Sequence, residues 1–312
     1  MELTVVGNIS MDKVGSPDKL VETQGGAAVY TSLSASLVGA NVSLVGRIGE
    51  DYRFSYLKNL KRSSINLSGV KVISNGKSTR FTIIHDKFRA NYCDYEINVG
   101  EGLTPEDIPR NARKSRIVHI CPNSPSLQMR FVEFLDTKIS LDSISAEIYR
   151  QPHLFVHELL KRADFYFPNR EEATMIYFYL KQNRVIAPSK AKEIADKIKH
   201  NHLMEIASYI QPHTGGILCL KCDEYGVIVV DDESVRHVGA IQENVVDPTG
   251  AGDSFAGAFL SKYIKTGDIS LSAIYGNTAA SFVITDYGIN RMLKITGEDI
   301  DKRVKEQLEE GR

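Results

Sequence analysis

The sequence predicts an α/β fold, in which a central, mostly parallel sheet carries helices on both faces and a small β-sheet forms a lid. Short apolar runs alternate with helix-like segments, which is typical of a parallel sheet. Residues 69–100 break this alternation with short strands and little helical periodicity. A chain of 312 residues with 42% hydrophobic content is long enough for a large core. We therefore expect a single domain over residues 1–312, with a lid insertion formed by about 13–23 and 69–100.

The first hundred residues supply the start of the sheet and most of the lid. Gly25 and Gly26 open an apolar helix over 27–38, and Asp51 is predicted to cap a helix that ends near Leu60. The predicted strands are 3–7 and 41–48 in the main sheet, and the runs VKVIS, TRFTIIHD and NYCDYEI in the lid. Asn-Gly at 75–76 separates the first two lid runs and favours a hairpin between them.

Regular alternation resumes after residue 103. The run TPED at 104–107 is a helix start with proline at the first position. Apolar runs then predict strands at 117–121, 139–142, 165–167 and 216–220, a hairpin at 227–230 and 235–238, and C-terminal helices at 250–265, 270–285 and 298–309.

Composition and charge exclude several classes of partner. The formal net charge is −1, so nothing draws the surface as a whole towards nucleic acid or anionic lipid. No apolar run approaches the roughly 18 residues of a membrane helix, and Glu2 stands where a signal peptide would carry positive charge. We therefore expect a cytoplasmic protein that acts on a small molecule, with neither nucleic acid nor membrane as partner.

The run DPTGAGDSFAGAFL at 247–260 carries the strongest chemical signal. Gly250 and Gly252 let the backbone approach a ligand closely, and the first N–H groups of the helix that follows favour an anion such as phosphate. Asp253 places a carboxylate beside this anion site, and a role as the base that takes a proton from a hydroxyl attacking the phosphate would explain it. The structural alternative is an acidic residue that merely favours the helix dipole.

Two other glycine motifs do not fit. A dinucleotide-binding GxGxxG would require glycine at Phe255, and its loop would follow a strand early in a βαβ unit. The GKS at 76–78 would require glycine at Lys71 to form a Walker A loop, and it lies in a predicted strand–turn–strand segment.

Several separated motifs, in the right order, resemble those of the ribokinase-like (PfkB) family of carbohydrate kinases. The 247–260 run matches the family's C-terminal motif throughout. The other similar segments are 25–51, the PNREE at 168–172, the GNTAA at 276–280 and the early GNISMD at 7–12.

The resemblance implies a role for each matching residue. Asp253 is the general base, and Gly250, Ala251 and Gly252 supply backbone donors to the transferring phosphoryl group. Asp12 and Gly26 are implied to contact the acceptor hydroxyls, and Gly25 and Tyr30 are further candidates for contact with the substrate. Asn169 and Glu172 are implied to hold Mg²⁺ and the phosphates through water, and Asn277 to border the nucleotide base. Lys221 and Gly226 are further candidates for contact with the nucleotide.

Two positions depart from the family pattern. Tyr30 stands where many sugar-kinase members have asparagine, and an aromatic wall for a nucleobase, core packing and a hydrogen bond to a polyol all remain open for it. Lys221-Cys222-Asp223, followed by Gly226, replaces the usual Thr-x-Gly element. Lys221 is either a phosphate ligand or a solvated residue at a strand end.

These residues together predict an ATP- and Mg²⁺-dependent kinase that phosphorylates a hydroxyl of a small sugar or polyol of the ribose, fructose or inositol type. A nucleoside kinase of the same family is the alternative. A ligand-binding protein without turnover is the alternative from another class, but such a protein would be expected to have lost Asp253 or one of the two glycines. Family members often bind a monovalent cation near this loop, and the sequence leaves this open.

The lid residues permit fewer conclusions. Arg89, His85 and Asp86 are interpreted as solvated residues of a polar turn, and the alternative is that they reach down to an anionic or polyhydroxylated substrate. The lid strands would leave an exposed edge, so a homodimer formed through the lids is predicted from edge chemistry and from the family resemblance.

Overall fold

The structure is a computed structural model that describes residues 1–86 and 89–310, without the side chains of residues 86–93 and 310. The chain divides into two compact units. The first combines Met1–Arg116 with Ile241–Arg312, and the second is Ile117–Ala240. The expected single domain over the whole chain stays a prediction.

The first unit contains a set of parallel strands and a separate lid sheet. Its strands are β1 (Leu3–Val6), β2 (Ser10–Ser16), β3 (Lys19–Gly25), β4 (Val42–Gly49), β5 (Asn66–Ile73), β6 (Arg80–Asp86) and β7 (Arg89–Glu96). Strands β1, β4 and β5 pair in parallel in that order. Every residue of β1 is buried, as expected for a strand that is covered on both faces.

The lid sheet has the order β3-β2-β6-β7. Strands β2 and β3 are antiparallel, β2 and β6 are parallel, and β6 and β7 are antiparallel with a bulge after Thr82. The predicted lid is therefore present, although its second part starts later than residue 69.

The run VKVIS was wrongly assigned to the lid. It belongs to β5, which pairs in parallel with β4, and the predicted hairpin at 75–76 is therefore absent because β5 and β6 lie in different sheets. Asn75 does adopt a left-handed turn conformation, with φ 55°. The error arose because β5 is half-exposed, with Val72 at 58% exposure, and so it resembles a lid strand.

The helices of the chain are α1 (Ala27–Leu37), α2 (Phe54–Arg62), α3 (Pro125–Phe134), α4 (Ser145–Arg150), α5 (Arg170–Gln182), α6 (Pro188–Lys197), α7 (His200–Ile210), α8 (Ala251–Thr266), α9 (Ile269–Val283) and α10 (Gly297–Glu310). The predicted cap at Asp51 is wrong. Helix α2 begins at Phe54, and the Asp51 carboxylate accepts hydrogen bonds from Ser78 and Arg80 instead.

The second unit continues the alternation of strands and helices. Its strands are β8 (Ile117–Ile120), β9 (Lys138–Leu141), β10 (Phe165–Tyr166), β11 (Ile217–Lys221), β12 (Val227–Val230) and β13 (Val235–Val238). Strands β8 to β11 are mutually parallel, and β12 and β13 complete the sheet as the predicted antiparallel hairpin. The predicted α/β class is confirmed. Among the described residues, no helix is long and apolar enough to cross a membrane.

Candidate active site

The glycine-rich turn leads into α8 as predicted. Gly250 is the N-cap residue and has a left-handed φ of 78°. A Cβ at this position would lie 2.3 Å from the ring of Tyr30, so both the conformation and the packing require glycine. A glycine N-cap has no side chain with which to occupy the first N–H groups of the helix. The start of α8 is therefore suited to an anion, and Asp253 lies in its first turn.

Asp247 holds this turn in shape. It is fully buried, and its carboxylate accepts hydrogen bonds from the N–H groups of Thr249 at 2.9 Å and Gly288 at 2.8 Å. These bonds tie the residue before the glycine turn to the segment after α9. Sequence reasoning assigned Asp247 to the family motif without recognising this role.

The lid reaches the same carboxylate through His85. The Nε2 atom of His85 lies 3.6 Å from Oδ1 of Asp247, and the imidazole stacks on Tyr287 with ring centroids 6.3 Å apart. The His85 side chain is only 10% exposed, so its interpretation as a solvated residue was wrong. The side chains of Asp86 and Arg89 lie outside the described part of the chain.

Asp12 lies on β2 against the first pair of glycines. A Cβ on Gly25 would lie 1.8 Å from Oδ2 of Asp12, so only glycine permits this carboxylate position. Burial raises the pKa of Asp12 to about 7, and the nearby charge of Asp247 adds to the rise, whereas Ser10 and two backbone N–H groups oppose it. Within the described residues, Oδ1 of Asp12 is buried and has no hydrogen-bond partner. A buried acceptor of this kind suits the hydroxyl of a bound polyol.

Tyr30 and Gly26 belong to the start of α1. Gly26 is the N-cap residue with φ 95°, and a Cβ there would lie 2.3 Å from the carbonyl oxygen of Asn8. Tyr30 is 1% exposed and its ring lies against Gly250. This position favours the packing alternative for Tyr30, and its contact with substrate stays a prediction.

The second unit carries a cluster of charged residues where its parallel strands end. Asp142 directly follows β9, and Lys221 ends β11. The Nζ atom of Lys221 lies 2.9 and 3.1 Å from the two carboxylate oxygens of Asp142. Lys221 keeps only 18% of its side chain exposed, so the solvated alternative for this residue was wrong. Sequence reasoning missed Asp142, although a carboxylate directly after a buried strand was the available signal.

Asn169 and Glu172 form a capping box at the start of α5. The Asn169 side chain accepts from the N–H of Glu172 at 2.9 Å, and Glu172 accepts from the Asn169 N–H and side-chain amide at 3.0 Å each. Glu172 is 3% exposed. Burial, together with the nearby charge of Asp142, raises the pKa of Glu172 to about 8, against the opposing effect of Lys221. Two buried carboxylates thus lie near one ammonium group.

Two predicted nucleotide ligands have a clear structural environment. Gly226 precedes β12 with φ 88°, and a Cβ there would lie 2.1 Å from the carbonyl oxygen of Val238. This close approach of two backbone segments is sufficient reason for glycine at position 226, whether or not a nucleotide contacts it. Asn277 lies on α9 and is 7% exposed. For both residues, contact with a nucleotide stays a prediction.

The chain resembles known kinases over nearly its whole length. It is 28% identical over 295 residues to the cytidine kinase of Thermococcus kodakarensis. The aligned region covers 92% of this chain and 98% of that relative. The nucleoside kinase of Methanocaldococcus jannaschii, an archaeal member of the ribokinase family, is similar in structure. The TM-score is 0.74 at 22% identity, covering 98% of this chain and 99% of that one.

An E. coli protein of this fold has been solved in complex with ATP and Mg²⁺. Its TM-score against this chain is 0.76 at 16% identity, covering 98% of this chain and 99% of that one. These likenesses show that the fold is ribokinase-like. A model of the pfkB family of carbohydrate kinases matches residues 2–295. The chain therefore belongs to the pfkB family of carbohydrate kinases and is a phosphotransferase with a hydroxyl acceptor.

Proposed function

We propose that this kinase transfers the γ-phosphoryl group of ATP to a hydroxyl of a nucleoside. The observation that carries the proposal is the arrangement within the first unit. Within the described residues, Oδ1 of the Asp12 carboxylate beside Gly25 has no hydrogen-bond partner, and Asp253 lies beside the glycine turn that is suited to an anion. One carboxylate thus binds the acceptor, and the other accepts its proton.

The chemistry assigned to Asp253 is general-base catalysis. The acceptor hydroxyl oxygen attacks the γ-phosphorus and forms the new P–O bond, while its proton passes to the Asp253 carboxylate. The bond between the γ-phosphorus and the bridging oxygen breaks, and ADP leaves with the electron pair. Backbone N–H groups at Gly250–Gly252 stabilise the charge on the phosphoryl oxygens, because such transfers depend mainly on positioning and electrostatics.

The second unit supplies residues for the nucleotide and its metal. Both oxygens of Glu172 already accept hydrogen bonds from Asn169, and Asp142 is paired with Lys221. Their remaining lone pairs fit a role through the water shell of Mg²⁺, which usually keeps several waters and takes phosphate oxygens as ligands. Bound Mg²⁺ would neutralise negative charge on the phosphates. Lys221 would contribute a positive charge to the same phosphates.

A nucleoside is favoured over a free sugar as acceptor by the names of the relatives. The similar proteins include a cytidine kinase and two nucleoside kinases at 22–28% identity over most of the chain. A sugar or polyol kinase is the second candidate, since a deoxyribokinase of Salmonella typhi is 22% identical over 269 residues. Asp12 would serve either acceptor, because both present hydroxyls to it.

A coupled assay of ADP release from MgATP tests the proposal. The acceptor panel is ribose, fructose, myo-inositol, adenosine, cytidine and guanosine, and Asp253→Asn is measured alongside. We expect turnover with at least one nucleoside, exceeding that with every sugar and polyol, and loss of this turnover in the variant. Turnover with a sugar alone would replace the nucleoside with the second candidate. Turnover that survives in Asp253→Asn would contradict the assigned chemistry.

A further inference from the structure

The lid carries an aromatic pair in which one ring is half-buried and the other is exposed. The rings of Phe81 on β6 and Tyr95 on β7 lie with centroids 6.4 Å apart and planes 31° apart. Tyr95 is 59% exposed, and β7 is an edge strand of the lid sheet. Aromatic side chains are large apolar groups, and exposed apolar clusters often mark a binding site.

This pair lies on the same face of the lid sheet as Asp12. Val14 on β2 pairs in register with Ile83 on β6, and directly opposed residues of paired strands share a face. Because side chains alternate along a strand, Asp12 shares the face of Val14, and Phe81 shares the face of Ile83. Val14 and Ile83 are 0% and 1% exposed, so this face is covered over β2 and β6 and becomes exposed at the edge strand β7, where Tyr95 lies.

Phe81 is also a direct neighbour of the Asp12 carboxylate. The backbone N–H of Phe81 lies close enough to lower the pKa of Asp12, against the larger rise caused by burial. Tyr95 is directly opposite Phe81 in the β6–β7 ladder. A ligand whose hydroxyls bind Asp12 therefore has an aromatic surface on β6 and β7 within reach, with the half-buried Phe81 nearer to Asp12 and the exposed Tyr95 farther away.

We propose that the Phe81–Tyr95 pair stacks against the base of a nucleoside whose ribose hydroxyls bind Asp12. This inference rests on the proposed kinase function and specifies how the acceptor is recognised. A nucleoside kinase needs an apolar or aromatic wall for the base in addition to hydroxyl contacts. Tyr30, the aromatic residue that the sequence suggested, is 1% exposed against Gly250, whereas Tyr95 presents its ring to solvent. A free sugar lacks the planar base that would stack on both rings.

The test compares an acceptor with a base and one without. Cytidine and methyl β-D-ribofuranoside are used as acceptors for the wild-type enzyme, Tyr95→Ala and Tyr95→Phe. We expect Tyr95→Ala to raise KM for cytidine by about 5- to 150-fold, the range for loss of base–aromatic stacking. Its KM for the methyl riboside is expected to stay unchanged, and Tyr95→Phe is expected to behave as wild type. Tyr149→Ala, which removes a tyrosine that is 43% exposed on α4, is the matched control and should alter neither KM.

Three outcomes would overturn the inference. The first is an equal loss for both acceptors in Tyr95→Ala, which would indicate a general effect on the lid. The second is a cytidine KM that Tyr95→Ala leaves unchanged. The third is sedimentation of the wild type as a dimer and of Tyr95→Ala as a monomer, which would make the ring part of an interface between two copies of this chain.

Failure of phosphoryl transfer is distinguished by binding. If the wild-type enzyme releases no ADP with any nucleoside of the panel, the proposed function fails, and calorimetric binding of cytidine then decides the role of the aromatic pair. Weaker cytidine binding in Tyr95→Ala, with normal binding in Tyr95→Phe, would still support stacking. Equal binding in all three proteins would overturn it.

Discussion

The two units differ in how their buried carboxylates are surrounded and in which hydrogen-bond partners these carboxylates have. In the first unit the site is built from backbone, because glycines at 25, 26 and 250 bring main chain against Asp12, Asn8 and Tyr30 at distances that any Cβ would prevent. The buried Asp12 carboxylate keeps one oxygen without a partner among the described residues. In the second unit both carboxylates have side-chain partners, since Lys221 forms an ion pair with Asp142 and the Asn169 amide donates a hydrogen bond to Glu172.

This difference separates two functions of buried charge. An unpartnered buried acceptor is costly in the free protein and gains its hydrogen bond only when a ligand arrives, so it provides selectivity for that ligand. A buried ion pair is satisfied before any ligand binds, so it maintains a positive group in a defined position. We therefore expect substitutions in the first unit to alter acceptor use, and substitutions in the second to alter both stability and nucleotide binding.

The largest effect is expected at Asp253. Asp253→Asn keeps the size of the side chain but removes the proton acceptor, so kcat should fall by about 10²- to 10⁴-fold. Binding of MgATP and the unfolding midpoint in urea should remain close to wild type. A variant with near-normal kcat would show that the chemistry of the first unit does not depend on this carboxylate.

The second effect concerns the ion pair of the second unit. Lys221→Met leaves Asp142 buried without its counter-charge, and we expect the free energy of unfolding in urea to fall by about 2–4 kcal/mol. The double variant Asp142→Asn/Lys221→Met should recover part of this loss, because it removes both charges. If the double variant is no more stable than Lys221→Met, the two residues do not compensate each other.

The third prediction tests the backbone-built site through its glycines. Gly25→Ala adds a methyl group that would lie only 1.8 Å from Oδ2 of Asp12, so the carboxylate must move. We expect KM for the acceptor to rise by about tenfold or more, since misplacement of about 1 Å is costly in active sites. Gly239→Ala is the matched control, because nothing lies within 4 Å of its added Cβ. Equal kinetics for the two variants would argue against close packing at Asp12.

The smallest effect is a dependence of acceptor binding on pH. Burial raises the pKa of Asp12 to about 7, so the group is largely protonated below that pH and ionised above it. An ionised carboxylate accepts hydrogen bonds from hydroxyls more strongly, so acceptor affinity should increase as pH rises from about 6 to 8. Calorimetry without ATP avoids any contribution from catalysis. Asp12→Asn should bind weakly and show no such increase; an increase that persists in this variant would assign the titration to another group.

Local sequence patterns predicted much of the fold and one part of the site. The 247–260 run indicated both the turn and the helix, because the glycines, the Asp253 carboxylate in the first helical turn and the apolar face of the helix lie within one short segment. The alternation of strands and helices from residue 103 onward was likewise readable from local periodicity. Elements of this kind depend on neighbours in sequence.

Contacts between distant residues could not be predicted in this way. Asp142 and Lys221 are 79 positions apart, and their pairing depends on two strands ending at the same edge of a sheet. His85 was interpreted as solvated because its polar neighbours in sequence resemble a turn, whereas its partners Asp247 and Tyr287 follow much later. The strand at 66–73 was misplaced for a similar reason, since exposure along an edge strand resembles that of a lid.

Separate binding measurements on Asp12→Asn and Lys221→Met test the division of functions between the two units most directly. Calorimetry would determine the affinity of each folded variant for MgATP and, separately, for the acceptor identified by the ADP-release assay. We predict that Asp12→Asn loses affinity for the acceptor by at least about tenfold and keeps normal affinity for MgATP, and that Lys221→Met shows the reverse. Loss of the same ligand in both variants would contradict the account.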